Sequence, residues 1–272
     1  MRCSRTTAAA AGIALFAGAA PLAGQIDYRN LDDERPVLTE DAYPVERYAF
    51  ELLAPYRLEA EADGNDVHVV APELSYGIIS NAQVGLELPL AALDSGPDTE
   101  WGLAGVTLSG LYNFNTEGPA LPALSLRGEL GLPVGDLAGD VARFTLAAIA
   151  TRSFGRTRLH LNAARSFGSE GGLGIEAAPR WSYSVAADHV FLRSSLLLVG
   201  EVATLRRAGG TPVEVNVGAG ARWQWTPTLV LDAGLARRLR AAVGPDLALT
   251  LGLSHAFALR ALVPGTRAPS RR

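Results

Sequence analysis

Four histidines, His68, His160, His189 and His255, are the side chains best suited to hold a metal ion or move a proton near neutral pH. Each falls in a different extended segment. None of their spacings brings two imidazoles onto one ion, so no metal site is expected. His160 and Asn162 share one face of a strand, as part of a Ser–His–Asn lipid hydrolase would. No nucleophile motif accompanies them, and two polar residues lining an interior is the plainer reading. The stretch GSEGGLG (Gly168–Gly174) has the glycines of a phosphate loop, but no helix follows it in the right strand context, so no cofactor is expected. The remaining candidates are charged residues on the polar faces of apolar strands: Glu87, Arg127, Glu129, Arg180, Glu201, Glu214, Arg222 and Asp232. Inward charge of both signs can set the selectivity of a lumen. It can equally pair across neighbouring strands and fill a barrel. Both readings stay open.

The elements that must position these residues are extended. Twelve segments are read, at 46–58, 66–77, 82–91, 103–115, 121–132, 142–154, 157–168, 179–190, 194–205, 213–225, 228–239 and 247–258, each ending at Gly, Pro, Asn or Asp. Their faces are distinct. Leu247, Leu249, Leu251 and Leu253 alternate with Ala248, Thr250 and Gly252. Val84, Leu86, Leu88 and Leu90 oppose Gln83, Gly85 and Glu87. Val213, Val215, Val217, Trp223 and Trp225 oppose Glu214, Asn216, Arg222 and Gln224. Connections alternate between tight ones, such as 78–81 and 155–156, and longer ones, such as 92–100 and 133–140, the pattern of an outer-membrane barrel. In hydrocarbon the leucines face outward and every backbone polar group must be paired in a closed ring. A soluble sandwich would need a charged exterior, yet the polar faces here carry only a few charges each. Arg152, Arg165 and Arg237 fall on the outer face; Arg152 is close to its turn and tolerable there, while Arg165 and Arg237 imply either register slips or guanidinium groups reaching for lipid headgroups.

Composition agrees. The chain is 48% hydrophobic and 19% charged, against about a quarter charged in an ordinary soluble domain. Its net charge of −4 lacks the basic footprint of a nucleic-acid binder. Residues 1–24 read as a secretory signal: Arg2 and Arg5, an apolar core, then small residues at Ala23 and Gly24. The single cysteine, Cys3, would leave with it, so neither a disulfide nor a thiolate site is expected. Beyond the signal no apolar run approaches the ~18 residues of a spanning helix. Residues 25–44 are acidic, without periodicity, and read as a flexible periplasmic leader. The end, 259–272, reads as a basic tail with Arg260, Arg267, Arg271 and Arg272.

Four stretches together resemble the outer-membrane transporter family associated with the meta-pathway of phenol degradation. They are YGIISNAQVGLELPL (Tyr76–Leu90), GLPVGD (Gly131–Asp136), RLHLN (Arg158–Asn162) and GPDLALTLGLSHAF (Gly244–Phe257). The resemblance runs from about residue 45 to 257. It implies a β-barrel admitting small, often aromatic or apolar, molecules, and it brings no binding residues with it. GLSHAF (Gly252–Phe257) also resembles the C-terminal signal read by the barrel-assembly machinery, although fifteen residues follow it here.

The expectation is therefore an all-β, transmembrane, antiparallel up-and-down barrel of about twelve strands over 45–258, in a bacterial outer membrane. It would be a non-enzymatic monomer, surrounded by membrane lipids and passing a small-molecule solute by passive or facilitated diffusion, with no nucleic-acid partner. An outer-membrane lipid hydrolase and a closed structural or adhesive barrel are the alternatives.

Overall fold

The computed structural model describes residues 27–60, 66–94, 99–168, 181–193, 195–206, 212–240 and 245–264. The expected signal segment and the last residues of the tail lie outside the described residues. The alternating sequence forms β1 (Ala49–Leu53), β2 (Tyr56–Ala60), β3 (Asp66–Val70), β4 (Glu73–Ile79), β5 (Ala82–Glu87), β6 (Leu90–Asp94), β7 (Thr99–Leu103) and β8 (Val106–Asn115). These are followed by β9 (Ala123–Leu132), β10 (Arg143–Phe154), β11 (Thr157–Phe167), β12 (Trp181–Phe191), β13 (Leu196–Arg206), β14 (Glu214–Thr226), β15 (Leu229–Arg240) and β16 (Leu247–Ala258). All the strand ladders are antiparallel, and β16 pairs with both β1 and β2, which closes the sheet on itself. The first eight strands are pairs of half-strands, β1–β2, β3–β4, β5–β6 and β7–β8, each making one stave. The ring has twelve staves, as expected from the sequence.

Segments 46–58, 66–77 and 82–91, read as unbroken, are interrupted at Pro55, Pro72 and Pro89. Proline has no N–H to give to a ladder, but its carbonyl still accepts. Ala71 N–H donates to Pro55 (3.2 Å), Leu88 N–H to Pro72 (3.0 Å) and Ala104 N–H to Pro89 (2.8 Å). The three prolines thus stand side by side on adjacent staves. On the fourth stave the break falls at Gly105, whose φ of 139° is open to glycine. The face alternation changes there: Gly102 and Ala104 point inward before it, Leu111 and Asn113 after it. Among the described residues β7 pairs only with β6. Its other edge is met by Leu137, whose N–H bonds the Leu103 carbonyl (3.1 Å) and whose side chain packs with Val69, Ala91 and Ala104. Pairing of β6 with β7 reduces the expected loop 92–100 to residues 95–98, which lie outside the described residues.

The short connections, including 80–81, 155–156 and 227–228, share one end of the barrel with the start of β1 and the finish of β16. The longer connections share the other. Aromatic side chains ring both ends. Phe50, Tyr76, Tyr112, Phe114, Phe154, Phe191, Trp223, Trp225 and Phe257 lie toward the turn end. Trp101, Phe144, Phe167, Trp181 and Tyr183 lie toward the loop end. Phe50 packs against both Tyr76 (4.5 Å between centroids) and Phe257 (5.3 Å), across the closure seam. Phe144 and Phe154 are ten residues apart on one strand. At about 3.3 Å per residue and a tilt of about 40°, the girdles stand about 25 Å apart, the height of the apolar band of an outer-membrane barrel. Between them the exterior is aliphatic, including Leu86, Leu108, Leu126, Leu146, Leu161, Val185, Val202, Leu235 and Leu251.

The outward arginines sit at the ends of this band. Arg152 donates to the Leu121 carbonyl (3.0 Å) and Pro119 carbonyl (2.8 Å) at the turn end. Arg165 lies over the rings of Phe167 (4.9 Å) and Trp181 (4.6 Å) at the loop end, with no slip in its ladders. Arg237 is also near the loop end, beside a register shift between Val215 and Asn216. An outward Arg costs about 0–1 kcal/mol near an interface and roughly 2–4 kcal/mol at the midplane. Leu251→Arg, midway along β16, is accordingly expected to lower folding stability in lipid vesicles by about 2–4 kcal/mol. A denaturant titration followed by tryptophan fluorescence measures this. An unchanged midpoint would mean that this face is not in hydrocarbon.

Candidate functional site: a lumen filled from within

Residues 25–44 read as a free leader, but from residue 27 onward the structure seats this segment inside the ring. Leu31, Val37, Thr39, Asp41 and Ala42 are buried. The segment rises from the turn end to mid-height and returns. Its own two limbs are tied by the Asp41 N–H to the Leu31 carbonyl (3.0 Å) and by the Leu31 N–H to the Asp41 carboxylate (3.2 Å). It then passes Gly77 on β4, where a Cβ would come within 2.1 Å of the Glu46 carbonyl, and enters β1. The segment has no hydrophobic periodicity because it forms no regular element. It is held by side chains far away in the chain.

Small inward residues make the seat. Gly220 (β14), Gly234 (β15) and Gly252 (β16) line a notch that accepts Arg35 and Pro36. A Cβ on Gly234 would lie 1.7 Å from the Pro36 carbonyl oxygen, one on Gly220 2.7 Å from Pro36 Cβ, and one on Gly252 2.7 Å from Arg35 Nη1. Thr250 Oγ1 donates to that same Pro36 carbonyl (3.0 Å). Apolar contacts add to the seat: Tyr28, Leu31 and Val37 pack with Val190, Leu197, Val199 and Val230, and Ala42 with Leu111 and Ile149.

Charge fixes the register of the leader against the wall. Arg222, fully buried, donates to the Asn30 carbonyl and to Asp32 (2.8 Å). Arg35 bridges Asp32 (2.6 Å) and Asp232 (3.3 Å) and donates to Ser254 Oγ (2.8 Å). Arg127 meets Glu40 (2.9 Å), Glu129 (2.6 Å) and Asp33 (3.7 Å). Arg158 meets Asp41 (3.2 Å) and Asp188 (2.8 Å), and Arg57 meets Glu34. Glu201 accepts from the Leu38 N–H (2.9 Å), the Thr39 N–H (2.8 Å) and the Thr39 hydroxyl (2.7 Å). Closer to the turn end, Ala42 N–H donates to Thr151 Oγ1 (3.0 Å), and the Ala42 carbonyl accepts from Asn113 (2.8 Å) and Ser125 (2.6 Å). Burial pushes the Glu40 carboxyl up to about 8 against the pull of Arg127, with Glu129 and Asp41 adding to the rise. Burial likewise raises Asp41. At Asp32 burial is outweighed by Arg222 and Arg35, and the net shift is downward.

Of the charged residues expected to line the lumen, Arg127, Glu129, Glu201, Arg222 and Asp232 come together around the leader. Glu87 faces inward directly across from Glu73. Glu214 lies nearer the loop end and accepts from Asn216 (2.8 Å). Arg180 lies outside the described residues. Sequence reasoning missed Arg35, Arg57, Arg158 and Asp188, and with them the leader itself. The available signal was the run of inward glycines on the last three staves, space that a barrel wall alone does not require. His160 is buried, with Nδ1 3.0 Å from Thr151 Oγ1 and Nε2 3.0 Å from Asp188 Oδ2. Asn162 is not among its partners, so the Ser–His–Asn arrangement considered above is not formed.

A closed ring of twelve staves, aliphatic outside, girdled by aromatics and turned tightly at one end, is the fold of outer-membrane channels. Among solved structures the chain is similar to the COG4313 outer membrane channel from Pseudomonas putida F1, with a TM-score of 0.62 and 15% identity over 80% of this chain and 98% of that one. It is also similar to the KdgM porin (TM-score 0.54, 10% identity, 75% of this chain and 98% of that one). The NanC porin is a further likeness (TM-score 0.52, 7% identity, 76% and 98%). At these identities the likeness is one of fold. No protein-family model matches the chain, and no curated protein matches its sequence.

Proposed function

We propose that the chain is a passive outer-membrane channel for small molecules whose lumen is occluded by its own N-terminal leader. One observation carries the reading. The interior of the ring is not a packed core of wall side chains; it is occupied by a separate segment, joined to the wall at one end and otherwise held by side-chain bonds and the glycine notch. Movement of that segment opens a path without breaking a strand ladder. The transporter family of the phenol meta-pathway, with its small aromatic or apolar solutes, is supported by the four sequence stretches above and is compatible with the fold shared with the Pseudomonas putida channel. On this reading the barrel is a monomer with its turn end in the periplasm, and the assembly machinery reads the segment ending at Phe257.

Liposome swelling with the full chain tests the proposal. Phenol-sized neutral solutes are expected to enter faster than into protein-free vesicles, and oligosaccharides not to enter. No flux of any solute would favour the closed structural barrel.

A further inference from the structure

We infer that the lumen, once the leader is displaced, rejects anions and passes neutral and positively charged molecules. This rests on the channel reading and narrows its solute class. At the height of the leader three wall arginines keep a wall carboxylate of their own, and the fourth has one waiting across its ladder. Arg57 has Glu59 (3.2 Å), Arg127 has Glu129 (2.6 Å) and Arg158 has Asp188 (2.8 Å). Arg222 stands directly across the β14–β15 ladder from Asp232, which Arg35 of the leader now occupies. Withdrawal of the leader therefore leaves these four arginines neutralised. It uncovers no free row of positive charge.

The carboxylates left over are Glu51, Glu73, Glu87 and Glu201. Three of them cluster on adjacent staves. Glu73 lies directly opposite Glu87 across β4–β5, and Glu51 lies diagonally across β1–β4, where Glu73 pairs with Leu53. Like charges directly opposite on a sheet repel, so the arrangement is costly to the fold and is not explained by cross-strand pairing. Between this cluster and the leader lies a cavity lined by Asp32, Asp33, Glu40, Glu51 and Glu73, with Arg127 the one basic residue in its lining. Glu51 borders the cavity and is 8% exposed, yet makes no hydrogen bond or ion pair among the described residues. The cations that act on it most are Arg222, which is bound to Asp32 of the leader and faces Asp232 across the β14–β15 ladder once the leader is gone, and Arg35, which leaves with the leader. Withdrawal of the leader opens this cavity to water, which restores the ionised form of the three carboxyl groups, and charge of one sign on a confined wall focuses negative potential into the open path. Carboxylate charge lining a pore favours cations.

The test is a reversal-potential measurement in planar bilayers under a KCl gradient. It uses the full chain carrying Gly234→Ala, which crowds the leader out of its notch, or Gly220→Ala, which crowds it from the neighbouring stave should the first variant fail to fold. Potassium is expected to permeate several-fold faster than chloride. Glu51→Gln, Glu73→Gln and Glu87→Gln together are expected to abolish that preference. Current that favours chloride, shows no preference, or keeps its preference in the triple variant overturns the inference and leaves the channel reading standing. No current from either folded glycine variant overturns both.

Discussion

Gly234→Ala is expected to open the barrel. The added methyl would sit 1.7 Å from the Pro36 carbonyl oxygen and 2.6 Å from Thr250 Oγ1, separations that no Cβ tolerates. The β15 backbone is fixed by ladders on both sides, to β14 and β16. The leader has no ladder of its own, so the leader yields. Overpacking a well-filled site costs about 1–3 kcal/mol, and each 1.4 kcal/mol is about tenfold in an equilibrium. The displaced population, and with it the mean bilayer conductance, should rise by about 5- to 150-fold. Alanine is no worse than glycine in a strand, so the barrel itself should keep its heat-modifiable mobility in detergent electrophoresis. Cleavage by a glutamate-specific protease after Glu40, which is buried in the docked leader, should appear in the variant alone. A variant with wild-type conductance and a protected leader would show that the notch does not hold the segment.

Arg222→Ala should have the larger energetic effect. This guanidinium is fully buried and ties two points of the leader, the Asn30 carbonyl and Asp32, to β14. Its loss leaves Asp32 with Arg35 alone. Removing one partner of a buried ion pair costs about 3–5 kcal/mol, because the remaining charge stays desolvated. Here the remaining charge can escape by leaving the lumen, so the penalty falls on leader docking and only weakly on the ring. The expected result is a conductance at least as high as that of Gly234→Ala, together with a barrel whose denaturation midpoint changes little. A large fall in that midpoint with no gain in conductance would assign Arg222 to the wall and not to the leader.

The ring was legible in the sequence, and its contents were not. Strict alternation in 247–258 and 213–225, and the long–short rhythm of the connections, identify staves because the side-chain period of a strand is two. The proline breaks escaped notice because Pro55, Pro72 and Pro89 keep the alternation on either side of them. Of the two readings open for Arg165, a register slip or a guanidinium at the interface, the second holds. Its neighbours Phe167 and Trp181 are brought beside it by pairing that a linear pattern does not display. The leader was hidden for a deeper reason. Its partners Arg127, Arg158, Glu201, Arg222, Gly234 and Thr250 are spread over six strands, and an aperiodic acidic stretch has no local signature for a seat assembled from so many places. Among the lumen charges, Glu87 and Arg127 could be assigned to a face, but their partners could not.

The seam where β16 meets β1 and β2 has a consequence for how the protein is made. The ring has no inside until its final stave, Leu247–Ala258, has been synthesised and joined to its first. The notch needs that stave too, since Thr250, Gly252 and Ser254 belong to it. The earliest exported stretch of the described chain must therefore wait for the latest before it has anywhere to rest, an extreme of non-local contact of the kind that slows folding. Sealing against lipid and shutting against solute become one event, and a barrel halted before its last hairpin would be neither watertight nor closed.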